Sequence, residues 1–277
     1  MPARAGISPK QDSQKGDMDM RTPVIVMGAC GRMGRVIADL ARTDAAFTLA
    51  ALVDSRVEAL AGEKECVTGA TLADVLPRCA GAAVIDFTAP AVSLANARLA
   101  AENGTPLVIG TTGFSAEQLR ELEELATRTP LFWSSNMSVG VNVLMKLLPE
   151  LTKALGDTYD IEMVELHHNR KKDAPSGTAI MLGECLAWAR GWKLDDVRCS
   201  ARDGIIGERP KAQIGIQAVR GGDVVGVHTV YFMGPGERIE VTHQAHSRET
   251  FAQGALRAAA WLRGQKAGRL YRMRDVF

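Results

Sequence analysis

The sequence predicts an α/β protein in two parts: a first domain built on a parallel sheet and a second, α+β domain. Three observations predict it. A strand-length apolar run at residues 23–27 leads through a glycine-rich turn into a helical pattern. Strand and helix patterns then alternate to residue 133, as in a parallel sheet with right-handed crossovers. Beyond residue 210, three segments rich in Val, Ile, Thr and Tyr are divided by Gly221-Gly222-Asp223 and Gly234-Pro235-Gly236. These read as strands joined by hairpin turns in an antiparallel-dominated sheet.

The first turn is Gly28-Ala29-Cys30-Gly31-Arg32-Met33-Gly34. Glycines there permit a tight turn and let backbone amides approach a pyrophosphate at a helix start. The spacing is Gly-x-x-Gly-x-x-Gly, with Ala29 where the commoner fingerprint has glycine, and a plain tight turn also explains such a motif. The next strand, residues 47–53, ends at Asp54, about twenty residues after the last glycine. An acidic residue at that distance binds ribose hydroxyls, so the unit reads as a Rossmann-type dinucleotide site. Asp54 favours an unphosphorylated ribose, whereas Arg32 and Arg56 suit a 2′-phosphate, so both NADH and NADPH are expected to bind.

The alternation continues through strand 82–87, helix 91–103 stopped by Gly104, strand 106–109, helix 115–129 and strand 131–133. Ligands of such sheets sit at the carboxyl ends of the strands. Those ends carry Phe87-Thr88, Gly110-Thr111-Thr112-Gly113 and Ser134-Ser135-Asn136-Met137. A long helix follows at 139–155, with Pro149 expected to kink or break it. Strand 159–166 sets Ile161, Met163 and Glu165 on one face. Helix 178–190, an irregular excursion over 192–209, strands 214–219, 226–233 and 238–243, helix 250–262 and a short tail complete the chain.

The stretch richest in chemistry runs from Glu165 to Thr178, Glu-Leu-His-His-Asn-Arg-Lys-Lys-Asp-Ala-Pro-Ser-Gly-Thr. It brings His167 and His168 beside Arg170, Lys171 and Lys172, then ends in a helix start with small residues and open amides. Imidazoles, ammonium groups and free amides together suit a carboxylate-bearing substrate and a proton transfer. The plain alternative is a solvated charge run beside a structural histidine pair. A metal site is disfavoured: adjacent histidines on a strand point to opposite faces, cations crowd the loop, and no nearby Cys or acidic cluster completes a shell.

The 277 residues are 46% apolar with net charge +1, which supports an ordinary core and advertises neither nucleic acid nor a membrane surface. The five cysteines are odd in number and widely spaced, as in a reducing cytoplasm. Residues 1–20 are polar and aperiodic and read as a disordered extension.

Several motifs carry a resemblance to one family. Gly28 through Arg35, Ile109 through Phe114, Asn136 through Asn142, Glu165 through Thr178, Arg220 through Gly226, Gly236 through His243 and Met273 through Val276 resemble the signatures of the dihydrodipicolinate reductases of lysine and diaminopimelate biosynthesis. The resemblance implies hydride transfer from NADH or NADPH to an unsaturated cyclic dicarboxylate, and a cytoplasmic homotetramer. It implies a Rossmann domain over residues 21–137 with 246–277, and a substrate-binding and tetramerising domain over 138–245. It carries His167 as acid/base, Lys171 as proton donor, and His168, Gly177 and Thr178 as substrate contacts. Its cofactor contacts fall on Gly28, Ala29, Cys30, Gly31, Arg32, Met33, Asp54, Gly110, Thr111, Thr112, Ser134, Ser135, Asn136 and Met137. Asp54-Ser55 stands where a common member has Glu-Arg, so the usual phosphate-binding arginine is absent from its place. Another Rossmann-type dehydrogenase and a non-catalytic dinucleotide sensor are the rival readings.

Overall fold

The structure, a computed structural model, describes residues 21–277; the extension expected over residues 1–20 lies outside the described residues. The chain divides into two compact units, residues 21–132 with Ala259–Leu270, and Trp133–Ala258 with Tyr271–Phe277.

The first unit carries β1 (Thr22–Met27), α1 (Arg32–Thr43), β2 (Phe47–Val53), β3 (Val67–Gly69), the single-turn α2 (Leu72–Val75), β4 (Ala83–Asp86), α3 (Pro90–Asn103), β5 (Leu107–Ile109), α4 (Ala116–Leu125) and β6 (Leu131–Trp133). With β12 (Leu270–Tyr271) the strands form a seven-stranded sheet in the order β12-β6-β5-β4-β1-β2-β3. The β1–β2, β1–β4, β2–β3 and β4–β5 pairs are parallel. The order reverses between β1 and β4, which is where an open α/β sheet opens its ligand crevice. Val24, Ile25, Val26, Val84, Ile85, Leu107, Val108 and Ile109 are all fully buried. A strand covered on both faces reads as an unbroken apolar run, and these do. β3 and α2 went unpredicted because three and four residues are too short to show a period. Gly104 closes α3 in the left-handed conformation (φ 64°), as expected, and Ser115 with Gln118 caps α4 reciprocally.

The second unit carries α5 (Val139–Leu155), β7 (Asp160–His167), α6 (Gly177–Ala189), the short α7 (Leu194–Val197), β8 (Arg198–Cys199), β9 (Ile214–Arg220), β10 (Gly226–Gly234), β11 (Glu237–Ala245) and most of α8 (Glu249–Leu262). Its sheet runs β11-β10-β7-β9-β8. Two expectations fail here. Gly221-Gly222-Asp223 is not a hairpin turn, because β7 lies between β9 and β10. The sheet is mixed rather than antiparallel-dominated: β10 runs antiparallel to β7 and β11, while β9 is parallel to β7 and β8. β7 enters from a distant part of the chain, and local turn chemistry carries no record of that. Of the kink or break expected at Pro149, the break does not occur, since α5 runs on to Leu155.

One face of this sheet packs on α5 and α6. Leu148, Ile161, Met163, Leu182, Leu186, Ile214, Ile216, Val230 and Phe232 make its buried core. Side chains two apart on a strand share a face. The core face of β7 therefore continues from Ile161 and Met163 to Glu165 and His167, all buried. That of β10 continues from Phe232 and Val230 to His228. At this end of the sheet the apolar face turns polar.

Candidate active site

Strand register assembles the polar end. His228 on β10 and Ala218 on β9 flank Glu165, Arg220 flanks His167, and His243 on β11 flanks His228. Glu165 is fully buried. Its Oε2 meets His167 Nδ1 at 2.6 Å and accepts from Arg220 Nη1 at 2.7 Å. Its Oε1 accepts from Arg220 Nη2 at 2.7 Å and from the Ser176 backbone N–H at 2.9 Å. Burial works against this carboxylate, but the bonds from Arg220, His167 and Ser176 outweigh it and hold its pKa below the usual value. Burial, helped by the nearby charges of Lys171 and Arg220, pulls His167 below an ordinary imidazole against the opposing pull of Glu165. A neutral ring is therefore the resting form.

Ser176 caps α6: its hydroxyl accepts the Ala179 N–H at 3.2 Å and meets His228 Nε2 at 3.0 Å. The His228 ring stands edge-on to His167, with centroids 5.2 Å apart, and burial foremost pushes its pKa down to about 4. Ser138 repeats the arrangement at the start of α5, accepting the Val141 N–H and meeting His243 Nε2 at 3.1 Å. After the cap, Gly177 is exposed and has open space where a side chain would be. Thr178 Oγ1 accepts from Asn136 Nδ2 at 2.9 Å.

The loop between β7 and α6 is bonded both to the β9–β10 connection and within itself. His168 donates its N–H to Val224 O, and its Nδ1 accepts the Arg170 N–H at 3.2 Å. Lys171 is partly buried, with Nζ 2.9 Å from Asp173 Oδ1. Arg170 and Lys172 are exposed. The second unit thus brings together His167, His168, Lys171, Gly177, Thr178 and Asn136 along one short path of chain and bonds. Sequence reasoning named those six but gave no role to Glu165, Arg220 or His228. The i, i+2 spacing of Glu165 and His167 on an alternating strand was the available signal. Nothing local announced Arg220 or His228, which arrive from other strands.

In the first unit, the β1–α1 turn has the shape a pyrophosphate needs. α1 is twelve residues long, its N-cap is Gly31 with no side-chain cap, and its first turn holds no acidic residue. A Cβ on Gly34 would stand 2.2 Å from the Gly28 carbonyl oxygen, so only glycine lets helix and turn close together. Gly28 has φ +64° and backs onto Thr88, which sets the ends of β1 and β4 side by side. Arg32 is exposed and Met33 partly so. Asp54 accepts from the Cys30 N–H at 2.9 Å, the Arg56 N–H at 3.1 Å and Arg56 Nε at 3.3 Å. Burial opposes its charge, yet these bonds keep its pKa low. Burial and then Asp54 push the Cys30 thiol up, away from a reactive thiolate.

Several predicted cofactor residues spend their side chains on the fold. The Thr111 hydroxyl is 2.7 Å from that of Ser93, within a buried network through Thr88 to Asp86. Gly110 lies against Phe87, whose ring a Cβ would meet at 2.2 Å. In the second unit Ser134 Oγ donates to Asn136 O at 2.7 Å, Ser135 Oγ lies 3.2 Å from Met181 Sδ, and Met137 is buried. Thr112 is exposed.

A glycine-cradled helix start beneath a parallel sheet, with a separate unit carrying a histidine–carboxylate pair, defines a class: the Rossmann-type, pyridine-nucleotide-dependent oxidoreductases. Comparison with known proteins narrows it. Residues 22–137 match the family described as "Dihydrodipicolinate reductase, N-terminus" and residues 140–277 that described as "Dihydrodipicolinate reductase, C-terminus". The chain belongs to the dihydrodipicolinate reductase family. It is 74% identical over 260 residues to the 4-hydroxy-tetrahydrodipicolinate reductase of Desulfovibrio desulfuricans, covering 93% of this chain and 100% of the relative. It is 62% identical over 259 residues to the one from Nitratidesulfovibrio vulgaris, with the same coverage. Among solved structures it resembles a dihydrodipicolinate reductase from Paenisporosarcina sp. TG-14, with TM-score 0.74 at 23% identity over 93% of this chain and 100% of that one.

Proposed function

We infer that this chain reduces 4-hydroxy-tetrahydrodipicolinate to tetrahydrodipicolinate with NADH or NADPH, a step toward diaminopimelate and lysine. The observation that carries the reading is the buried Glu165–His167 pair beside the open start of α6, with Lys171 on the intervening loop. A bound coenzyme would supply the hydride, held in the first unit by Gly28 to Met33, Asp54 and Gly110 to Thr112. The chain's own residues hold the dicarboxylate and handle the proton. The amides of Gly177 and Thr178 and the Thr178 hydroxyl grip one carboxylate, as a helix start does. His168 and the Lys171 ammonium meet the remaining anionic charge. Hydride addition to a conjugated imine sends electrons toward nitrogen, so a proton must follow. His167 handles that proton at Nε2, and Lys171 delivers it and steadies the developing charge. Neither carboxylate requires a metal.

In this reading residues 21–137 with 246–277 hold the coenzyme and residues 138–245 hold substrate and assemble the homotetramer, in the cytoplasm. No helix among the described residues is long and apolar enough to cross a membrane. The solved relative from Paenisporosarcina is described with dipicolinate bound, a planar ring dicarboxylate of the same chemical kind. The test couples the purified chain to freshly made dihydrodipicolinate synthase product and follows loss of absorbance from NADH and from NADPH. Turnover with either supports the reading. Coenzyme binding without turnover would leave a sensor, and turnover only with another carbonyl substrate would leave a different dehydrogenase.

A further inference from the structure

We propose that Glu165 is the positioning residue of this site, setting the tautomer of His167 through one oxygen and seating the start of α6 through the other. The proposal rests on the reading of His167 as the residue that handles the proton.

Glu165 has no exposure, and its four contacts are three donors, Arg220 Nη1, Arg220 Nη2 and the Ser176 N–H, and the ring nitrogen His167 Nδ1. A carboxylate has about four acceptor positions, so none is left over. Arg220 keeps the group ionised, and an ionised carboxylate only accepts. The hydrogen between the pair must therefore sit on His167 Nδ1, which leaves Nε2 as the only ring atom free to exchange a proton. The space beside Nε2 is kept open by a glycine: a Cβ on Gly226 would stand 3.0 Å from it. The other charged or titratable groups around the ring are Lys171 on the loop, Arg220 on β9 and His228 on β10, and each disfavours a second positive charge there or is itself neutral by burial.

The second arm reaches a different function. Ser176 is the N-cap of α6, and Gly177 and Thr178 are its first residues. Oε1 holds that cap by its backbone N–H, and Arg220 Nη2 extends the hold to the Asp173 carbonyl at 2.8 Å. One buried carboxylate thereby locks the proton-handling ring and the anion-gripping helix start into one geometry. A buried ion pair that served the fold alone would need only the Arg220 contact.

The first experiment needs no variant and no activity. Long-range nitrogen–proton correlation spectra of the full chain, with labelled histidine, assign the tautomer of His167 at a pH where it is neutral. The Nδ1–H form is expected, and the Nε2–H form overturns the proposal whether or not the chain reduces the proposed substrate. The second experiment is kinetic. In Glu165→Gln the amide oxygen can still serve Ser176 but no acceptor remains for His167. The expected result is a kcat lower by roughly 10- to 100-fold, with substrate KM and coenzyme Kd within about threefold of the parent. Glu165→Ala removes both arms, and substrate KM is expected to rise as well. Adding Glu165→Gln to His167→Gln is expected to cost nothing further in kcat, because the ring it orients is gone. A full additional loss in that background, or a KM effect alone from Glu165→Gln, overturns the positioning role.

Discussion

Asn136 donates from Nδ2 to the Thr178 hydroxyl at 2.9 Å while its Oδ1 accepts the Ser138 N–H at 2.8 Å. One side-chain amide thus ties together the starts of two neighbouring helices, α5 capped by Ser138 and α6 opening at Gly177-Thr178. It joins a residue predicted for the coenzyme to one predicted for the substrate. Asn136→Ala leaves a buried N–H and a hydroxyl unpartnered, so a loss of about 1–3 kcal/mol in unfolding free energy is expected. Urea denaturation measures it. Thr178→Val should cost less, since Asn136 keeps its Ser138 bond, but should raise substrate KM. A Thr178→Val protein with unchanged KM would remove Thr178 from the carboxylate grip.

His167→Gln should lower kcat by about a hundredfold or more, the span of general acid–base help, while coenzyme affinity stays put. Stopped-flow turnover and a fluorescence titration with NADH read the two quantities separately. An equal loss in both would show that the ring supports the coenzyme site rather than the proton. Lys171→Ala should lower kcat and kcat/KM together if the ammonium acts in the transition state; a rise in KM at constant kcat would make it a substrate clamp.

Coenzyme choice turns on Asp54 and Arg56. Arg56 Nε lies 3.3 Å from Asp54 Oδ1 with its side chain 61% exposed, so it can leave that carboxylate at little cost. A 2′-phosphate would draw it away, and ribose hydroxyls would not. Arg56→Ala is expected to raise KM for NADPH by about tenfold, one charge-assisted contact, and to leave KM for NADH near its original value. Equal changes for both coenzymes would assign the phosphate to Arg32.

Stability should fall as the solution is acidified, starting well above the carboxylate range. His228 takes up its proton near 6.5 in an unfolded chain but only at about 4 when folded. Between those values the unfolded chain binds more protons, so the imidazole's contribution is complete above about 6.5 and is lost as pH drops toward 4. His167 and His243 are lowered too and act with the same sign. Glu165 and Asp54, held low by their partners, add a further loss below the ordinary carboxylate range. Urea midpoints from pH 7.5 to 4 should therefore decline, and His228→Gln should flatten the upper part of the curve. A variant curve parallel to the parent would mean that His228 is not the group being titrated.

Much of the molecule could be read from order along the chain. The glycine turn, Asp54 after β2, the buried apolar strands and the Ser115 and Gly104 helix signals are local, because a turn angle, a cap or an alternating face depends on residues a few positions apart. The stretch from Glu165 to Thr178 was likewise visible as a concentration of imidazole, cations and small residues. What the sequence could not disclose is which strand lies beside which. β7 inserted between β9 and β10 undoes the hairpin that Gly221-Gly222 suggested, and the same insertion brings Arg220 onto Glu165 across 55 positions of chain and His228 onto Ser176 across 52. Residue type and spacing determined that this protein had a nucleotide cradle and a loop of imidazoles, cations and small residues. Strand pairing, set by burial of apolar faces from distant segments, decided which carboxylate holds the histidine and through which ring nitrogen.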